Sequence, residues 1–253
     1  MTDSHHGYPC WYELTTPDPD AAGAFYARLL GWSIDKAPME GMEYYLGTLG
    51  GTMVAGMMAP SMPGIPPNWC LYFAVTDCDA TVAAMLADGA QQYVAPSDIP
   101  GTGRFAILAD PQGAVFGLLQ PAPGGEGGAF DQNKRGHGNW HELMSSDPVA
   151  ALAFYGKHLG WKTSTAMDMG EMGSYQLVAL AVGDFGGLMG KPSADMPSAW
   201  LPYFGVASID AAVTAITEGG GRVMNGPMEV PGGAYIVQAT DPQGAWVAVT
   251  GPR

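Results

Sequence analysis

Residues 11–32 read WYELTTPDPDAAGAFYARLLGW, and residues 140–161 read WHELMSSDPVAALAFYGKHLGW. The two stretches have the same length, and 13 of their 22 positions are identical. A short solenoid unit would recur several times, whereas this similarity occurs twice and extends far along the chain. The sequence therefore indicates a duplicated domain.

Later parts of the two copies also match, at positions 131 residues apart. The run DPQGA at 110–114 returns at 241–245. The other matching pairs are Tyr44 and Tyr175, Gly56 and Gly187, Trp69 and Trp200, Tyr72 and Tyr203, and Phe73 and Phe204. We predict domains at 7–121 and 139–252, joined by a Gly/Pro-rich linker at 122–138 that we expect to be flexible.

Each copy shows the same order of elements twice. In the first copy, a strand at 11–14 precedes a helix at 21–30, which Asp18-Pro19 starts and Gly31 ends. Strand-like runs follow at 32–34, 44–49 and 54–58. A new strand at 70–75 and a helix at 79–87 precede strands at 92–95, 104–108 and 115–119. The pattern predicts four βαβββ units and an α+β fold.

Composition limits the partners of this chain. Its 253 residues carry a net charge of −14, and an anionic surface repels nucleic-acid phosphates and anionic lipids. Its hydrophobic runs are shorter than the roughly 20 residues of a membrane span. The start lacks a signal-peptide pattern, and the three cysteines form no CxxC pair. We expect a cytoplasmic monomer or homodimer that binds a small molecule, with no nucleic-acid or membrane partner.

The motifs resemble those of a known superfamily. FYxxxLGW occurs at 25–32 and 154–161, and DPQG precedes the last strand of each copy. This order is similar to the vicinal oxygen chelate superfamily, which includes glyoxalase I, extradiol dioxygenases, fosfomycin-modifying enzymes and antibiotic-sequestering proteins. The WYEL and WHEL openings are most similar to tandem glyoxalase-like proteins of actinobacteria. The resemblance implies two tandem domains, each a pair of βαβββ units forming a curved sheet around a cleft.

The resemblance also implies where a metal would bind. Metal-dependent members take ligands from the opening strand, the strand that restarts the second unit, and the final strand. Those positions hold Trp11, Cys70 and Gly117 in the first copy and Trp140, Leu201 and Ala248 in the second. These residues form no oxygen or imidazole ligand set. We therefore expect no metal cofactor, with a different divalent-metal site at Glu13, Glu142 and His141 as the alternative.

Strand alternation predicts what lines the clefts instead. If Trp11 and Trp140 face inward, then Glu13 and Glu142 do too. These carboxylates are the candidate catalytic bases, with structural hydrogen bonds or ion pairs as the alternative. On the restart strand, Cys70 and Leu201 would face inward with the tyrosines two positions later. The predicted ligand-binding residues are Trp11, Tyr72, Trp140, Tyr203, Trp69 and Trp200, with core packing as the alternative for all four tryptophans.

Three functions fit these residues, and the sequence leaves open whether the protein is an enzyme. The first is a glyoxalase-like protein whose metal-free cleft binds a small carbonyl-bearing or aromatic metabolite, with lyase or isomerase chemistry on a cleft glutamate. The second is non-catalytic binding or sequestration, as in bleomycin-resistance proteins. The third is a metal-dependent glyoxalase or dioxygenase.

Overall fold

The computed structural model describes residues 5–39, 41–125 and 127–253. It contains four βαβββ blocks, two in each sequence copy, which confirms the predicted α+β fold.

Both blocks of the first copy follow the predicted order. Their elements are β1 (Pro9–Thr15), α1 (Pro19–Leu30), β2 (Ser33–Lys36), β3 (Tyr44–Leu49), β4 (Thr52–Met58), β5 (Asn68–Ala74), α2 (Cys78–Ala87), β6 (Gln91–Ile99), β7 (Gly103–Ala109) and β8 (Val115–Pro121).

The second copy repeats this order and adds a 3-10 turn at Gly170–Met172. Its elements are β9 (Gly138–Ser145), α3 (Pro148–Leu159), β10 (Lys162–Asp168), β11 (Ser174–Leu180), β12 (Gly183–Gly190), β13 (Ala199–Gly205), α4 (Ile209–Glu218), β14 (Arg222–Glu229), β15 (Tyr235–Thr240) and β16 (Trp246–Gly251).

Each copy contributes one eight-stranded mixed sheet. The strand orders are β2-β3-β4-β1-β5-β8-β7-β6 and β10-β11-β12-β9-β13-β16-β15-β14. The opening strand and the restart strand of each copy are therefore central neighbours. Strand β1 runs parallel to β4 with Glu13 opposite Gly56, and β9 runs parallel to β12 with Glu142 opposite Gly187.

The first helix forms where its capping residues predict. The Asp18 side chain accepts a hydrogen bond from the Ala21 amide at 3.0 Å, which satisfies a backbone donor of the first turn. Gly31 ends the helix at φ 76°, a left-handed conformation that a residue without Cβ adopts at little cost. Asp147 and Gly160 cap α3 in the same way.

The chain divides into two compact units that do not coincide with the two sequence copies. Unit 1 is formed from Met1–Cys10, Leu71–Glu126 and His141–Trp200, apart from the positions that are not described. Unit 2 is formed from Trp11–Cys70, Gly127–Trp140 and Leu201–Arg253. Each unit thus combines a βαβββ block of one copy with a block of the other.

Unit 2 joins its two blocks through the motifs that define the repeat. The Tyr26 hydroxyl of α1 donates to Asp241 Oδ2 at 3.1 Å, and Trp69 Nε1 donates to the same hydroxyl at 3.0 Å. Phe204 packs against both Trp32 and Trp69. The FY motif of the first copy and the DPQG motif of the second copy therefore meet in one buried cluster.

Unit 1 has the same arrangement, with the FY motif from the second copy and the DPQG motif from the first. Tyr155 of α3 donates to Asp110 Oδ2 at 3.1 Å and accepts from Trp200 Nε1 at 3.0 Å. Phe73 packs against Trp161 and Trp200. In both units the Asp also closes its own turn: Asp110 Oδ1, for example, accepts from the amides of residues 112 and 114. DPQG is therefore a structural turn in each copy.

Part of the predicted linker is held in place by hydrogen bonds within unit 2. Gly138 N donates to Ala129 O at 2.9 Å, and Asp131 N donates to Gly138 O at 3.0 Å. Trp32 Nε1 donates to Gly136 O at 2.7 Å. These contacts order a segment for which composition predicted flexibility, while the domain boundaries stay a prediction.

None of the helices in the described part of the chain is long and apolar enough to cross a membrane.

Candidate functional site

Strand β1 has one closed face and one partly open face. Tyr12 and Leu14 are fully buried, whereas Trp11 and Glu13 are half-buried. Because successive strand residues point to opposite faces, Trp11 and Glu13 share the more open face, as the sequence predicts.

Tyr44 joins these two residues in a hydrogen-bonded cluster. Trp11 Nε1 donates to the Tyr44 hydroxyl at 3.1 Å, and that hydroxyl donates to Glu13 Oε2 at 2.9 Å. Burial, then the charge of Glu13, raises the pKa of Tyr44 far above its usual range. The phenol therefore keeps its proton and holds the carboxylate as an acceptor. We call Trp11, Glu13, Tyr44, Gly56 and Cys70 the Glu13 cluster.

Gly56 provides the space for this geometry. A Cβ at this position would lie 1.8 Å from the Tyr44 hydroxyl oxygen and 2.3 Å from the carbon that carries it. The phenol thus lies directly on the backbone of β4 at Gly56, which is the residue opposite Glu13 in the strand register. The second copy has the same arrangement of tyrosine and glycine: a Cβ on Gly187 would lie 2.3 Å from the Tyr175 ring.

Cys70 occupies the restart-strand position of the family's metal ligands. The residue is 8% exposed, and burial, followed by the charge of Glu13, raises the pKa of its thiol far above the usual range. Cys70 thus offers a single soft sulfur ligand at a position where the metal-dependent members supply an oxygen or imidazole group.

The final-strand position in the first copy is filled by an aromatic ring. Gly117 lies opposite Tyr72 in the register, and a Cβ on Gly117 would lie 2.2 Å from that ring. A glutamate could not be placed there without moving Tyr72. In the second copy the same position holds the fully buried Ala248, opposite Tyr203. The residues at the family's ligand positions therefore do not fit a metal ion.

The second copy preserves the carboxylate of the opening strand. Glu142 is 7% exposed, and Trp140 is half-buried. A carboxylate this deeply buried is costly unless polar groups solvate it. The catalytic role of Glu13 and Glu142 stays a prediction.

Four of the predicted ligand-binding residues are buried: Tyr72 (3% exposed) and Tyr203 (1%) lie even deeper than the tryptophans of the same strands. Trp69 and Trp200 are each 6% exposed and donate their indole hydrogen bonds to Tyr26 and Tyr155. They occupy the strand face opposite to that of Tyr72 and Tyr203. Their rings pack in the aromatic clusters of the two units, which favours the core alternative, and their role in ligand binding stays a prediction.

The environment of His141 does not favour the alternative metal site at Glu13, Glu142 and His141. His141 is fully buried, follows Trp140 directly on β9 and so points away from the face of Glu142. Its Nδ1 lies 2.9 Å from Phe185 O, and burial lowers the pKa of the imidazole to about 4. In the described ranges, no three His, Cys, Asp or Glu side chains are grouped as a metal site would require.

Sequence reasoning paired Tyr44 with Tyr175 but gave them no role at the site. The available signal was the tyrosine on β3 together with the glycine on β4, both repeated at an offset of 131. Without the register, nothing showed that this glycine lies beneath the tyrosine.

An open groove of about 540 Å³ lies elsewhere in unit 2. Its lining residues come from α1, β2 and β3: Asp20, Gly23, Ala24, Ala27, Ile34, Asp35, Lys36 and Tyr45. It includes none of the predicted site residues.

The four blocks define the class of this protein, a tandem pair of domains of the vicinal oxygen chelate type. Residues 11–119 match the family profile of the glyoxalase-like domain, and residues 138–249 match that of the glyoxalase/bleomycin resistance protein/dioxygenase superfamily. The chain belongs to this superfamily.

Relatives of similar length align with nearly the whole chain. The chain is 35% identical to "Putative glyoxylase CFP32" of Mycobacterium tuberculosis, with 99% of this chain and 97% of the relative covered. It is 32% identical to anthracycline biosynthesis protein DnrV of Streptomyces peucetius, with 98% and 94% covered.

Solved structures show the same fold at low identity. The Mn(II)-bound glyoxalase from Novosphingobium aromaticivorans aligns with a TM-score of 0.68 at 17% identity, covering 98% of this chain and 83% of that one. The 2,3-dioxygenase LapB from Pseudomonas sp. KL28 aligns with a TM-score of 0.67 at 13% identity, covering 98% and 93%.

Proposed function

We propose that the protein binds a small, planar, carbonyl-bearing aromatic metabolite without a metal ion, using the Glu13 cluster as its polar anchor. The observation that carries the proposal is the hydrogen-bonded series from Trp11 through Tyr44 to Glu13. An indole wall beside an oriented carboxylate suits a flat ligand that carries a hydroxyl donor.

The residues at the family's ligand positions support the metal-free part of the proposal. Trp11 cannot bind a metal, Cys70 is a buried thiol in place of an oxygen or imidazole ligand, and Gly117 lies against the Tyr72 ring. The similarity to an anthracycline biosynthesis protein supports an aromatic ligand, since anthracyclines are planar carbonyl-bearing ring systems.

The test is a titration with 1,8-dihydroxyanthraquinone, followed by the quenching of tryptophan fluorescence. We expect the same Kd with and without EDTA. Glu13→Gln should weaken binding about tenfold, because a hydrogen bond to a charged acceptor contributes about 1.5–3 kcal/mol. Glu142→Gln is the matched variant that reports on the second copy. Binding that EDTA abolishes and Mn²⁺ restores would contradict the metal-free site.

Catalysis by a buried glutamate is a second candidate function. It is favoured by Glu142, which is 7% exposed on the opening strand. Such a carboxylate could remove the proton next to a carbonyl group and return it to the neighbouring carbon. The assay is NMR in D₂O of the hemithioacetal of methylglyoxal and glutathione. We expect exchange of that proton in the wild type and its loss in Glu142→Gln. Full activity in both Glu13→Gln and Glu142→Gln would exclude this mechanism.

A further inference from the structure

Helix α1 and the outer strands β2 and β3 border the open groove of unit 2, which is separate from the Glu13 cluster. Its volume of about 540 Å³ is within the range of small-molecule sites. Tyr45, which lines the groove, follows Tyr44 on β3. Because neighbouring strand residues point to opposite faces, the groove and the Glu13 cluster lie on different faces of the sheet. We call this feature the α1–β2 groove.

The floor of the groove is apolar because α1 carries small residues where it packs on β2. A Cβ on Gly23 would lie 3.1 Å from Ile34 Cγ2, so the helix approaches the strand closely at this point. Ala24 and Ala27 extend the apolar lining along the helix. Such a floor favours a ligand with a small hydrocarbon part.

Two exposed carboxylates border this floor. Asp20 belongs to the first turn of α1, and Asp35 belongs to β2. Neither forms an ion pair with any other residue that the structure describes. Burial, followed by a hydrogen bond with Asp20, raises the pKa of the Tyr45 phenol, so this partner stays neutral and leaves the charge of Asp20 uncompensated. The groove is therefore complementary to a cation.

The protein already places an alkylammonium group at one end of this groove. Lys36 Nζ lies 5.4 Å from the centroid of the Tyr45 ring, which is within the range of a cation–π interaction. It also lies 2.6 Å from Glu43 Oε1. The side chains of this ion pair are 57% and 74% exposed, and such pairs are held weakly. The Lys36 side chain is thus an internal example of a cation on a hydrocarbon stem in this groove.

The second copy forms the same elements without the chemistry of the groove. Its residues at the positions of the two carboxylates, the helix glycine and the phenol are uncharged, and a leucine replaces the glycine. The pairs are Asp20 and Val149, Asp35 and Ser164, Gly23 and Leu152, and Tyr45 and Gln176. Since α3, β10 and β11 form with these replacements, the scaffold does not require the carboxylates of the first copy.

We propose that the α1–β2 groove binds a small organic ammonium ion, with its charge beside Asp20 and Asp35 and its hydrocarbon part on the floor between α1 and β2. The net charge of −14 adds a long-range attraction for cations. This site goes beyond the proposed function, because it shares no residue with the Glu13 cluster.

The test is a fluorine NMR titration with 4-fluorobenzylammonium, and the matched ligand is the neutral 4-fluorobenzyl alcohol. We expect a Kd of about 1 mM for the ammonium ion, as is typical of a ligand this small in an open groove. The alcohol should bind at least about fivefold more weakly, because it lacks the charge. Added NaCl should weaken the ammonium ion, since the carboxylates are exposed. Amide shifts on binding should be centred on residues 23–27.

Variants locate the site and test the sign of the charge effect. Asp35→Asn should weaken the ammonium ion about threefold, whereas Lys36→Gln should strengthen it about twofold by removing a like charge. The matched control is Asp195→Asn, which removes one exposed carboxylate from unit 1 and should leave the affinity unaltered. Ala24→Leu should block the floor and weaken binding about fivefold. Because Ala24 is exposed and leucine favours helices, its circular dichroism should match the wild type.

Three outcomes would overturn the proposal: equal affinity for the ammonium ion and the alcohol, equal affinity of the wild type, Asp35→Asn and Ala24→Leu, or a wild type whose spectrum does not respond to the ammonium ion. The anthraquinone titration reports separately on the Glu13 cluster, which lies on the other face of the sheet. Failure of one site therefore leaves the result for the other unchanged.

Discussion

At the scale of single residues, the position of Tyr44 depends on the absence of a side chain beneath it. A Cβ on Gly56 would lie 1.8 Å from the phenol oxygen. We expect Gly56→Ala to displace Tyr44 and break its hydrogen bond to Glu13. The free energy of unfolding should fall by about 2 kcal/mol. Urea denaturation measures this loss.

The control for this prediction is a double-mutant cycle. In a Tyr44→Ala background the added methyl has no ring to meet, so Gly56→Ala should cost much less. Equal losses in both backgrounds would mean that the clash with Tyr44 is not the cause.

His141 should make stability depend on pH. Its pKa is lowered from 6.5 to about 4 by burial, so below pH 6.5 the unfolded chain binds a proton that the folded chain excludes. Stability therefore falls as the pH drops from 6.5 towards 4, by about 3 kcal/mol for this group. We expect His141→Gln to lack this component.

The measurement is the free energy of unfolding of wild type and variant between pH 7.5 and 4. Because carboxyl groups also titrate in this range in both proteins, only the difference between the two curves reports on His141. A difference that does not change with pH would contradict the prediction.

At the scale of elements, the helix tyrosines link α1 and α3 to turns in the other copy. Removing the hydroxyl in Tyr26→Phe deprives the Trp69 indole of its acceptor and Asp241 of a donor. Leaving buried polar groups unsatisfied should cost about 1–3 kcal/mol. Tyr155→Phe should have a similar effect in unit 1.

Chemical denaturation of Tyr26→Phe and Tyr155→Phe tests this prediction. The matched control is Tyr235→Phe, which also loses a hydroxyl hydrogen bond, but an exposed one to Glu229. It should change stability by less than about 0.5 kcal/mol. Similar losses in all three variants would contradict the structural role of the buried pair.

At the scale of the whole molecule, a single sequence copy lacks the partners of its own core residues. Residues 1–125 contain Tyr26 and Trp32 but neither Asp241 nor Phe204, which these side chains contact in unit 2. We expect this fragment alone not to fold as a monomer, whereas co-expression with residues 127–253 should restore a folded complex. Size exclusion and circular dichroism check both results, and a cooperatively folded monomeric fragment would refute the prediction.

The sequence by itself determined the number, order and type of the elements. Helix caps such as Asp18 and Gly31 act on residues within a few positions of them. The duplication also shows each element in two copies of the sequence. Strand alternation also placed Trp11 and Glu13 on one face, because that alternation is a local property of an extended chain.

Only the tertiary structure decided which blocks share a core and what surrounds each side chain. Trp69 and Trp200 could line a site or fill a core in any one-dimensional view. Their burial against Tyr26 and Tyr155 depends on contacts across more than 40 positions of sequence. The pairing of Tyr26 with Asp241 spans 215 positions. Side-chain environment is set by packing between distant segments, whereas secondary structure is set largely by neighbours along the chain.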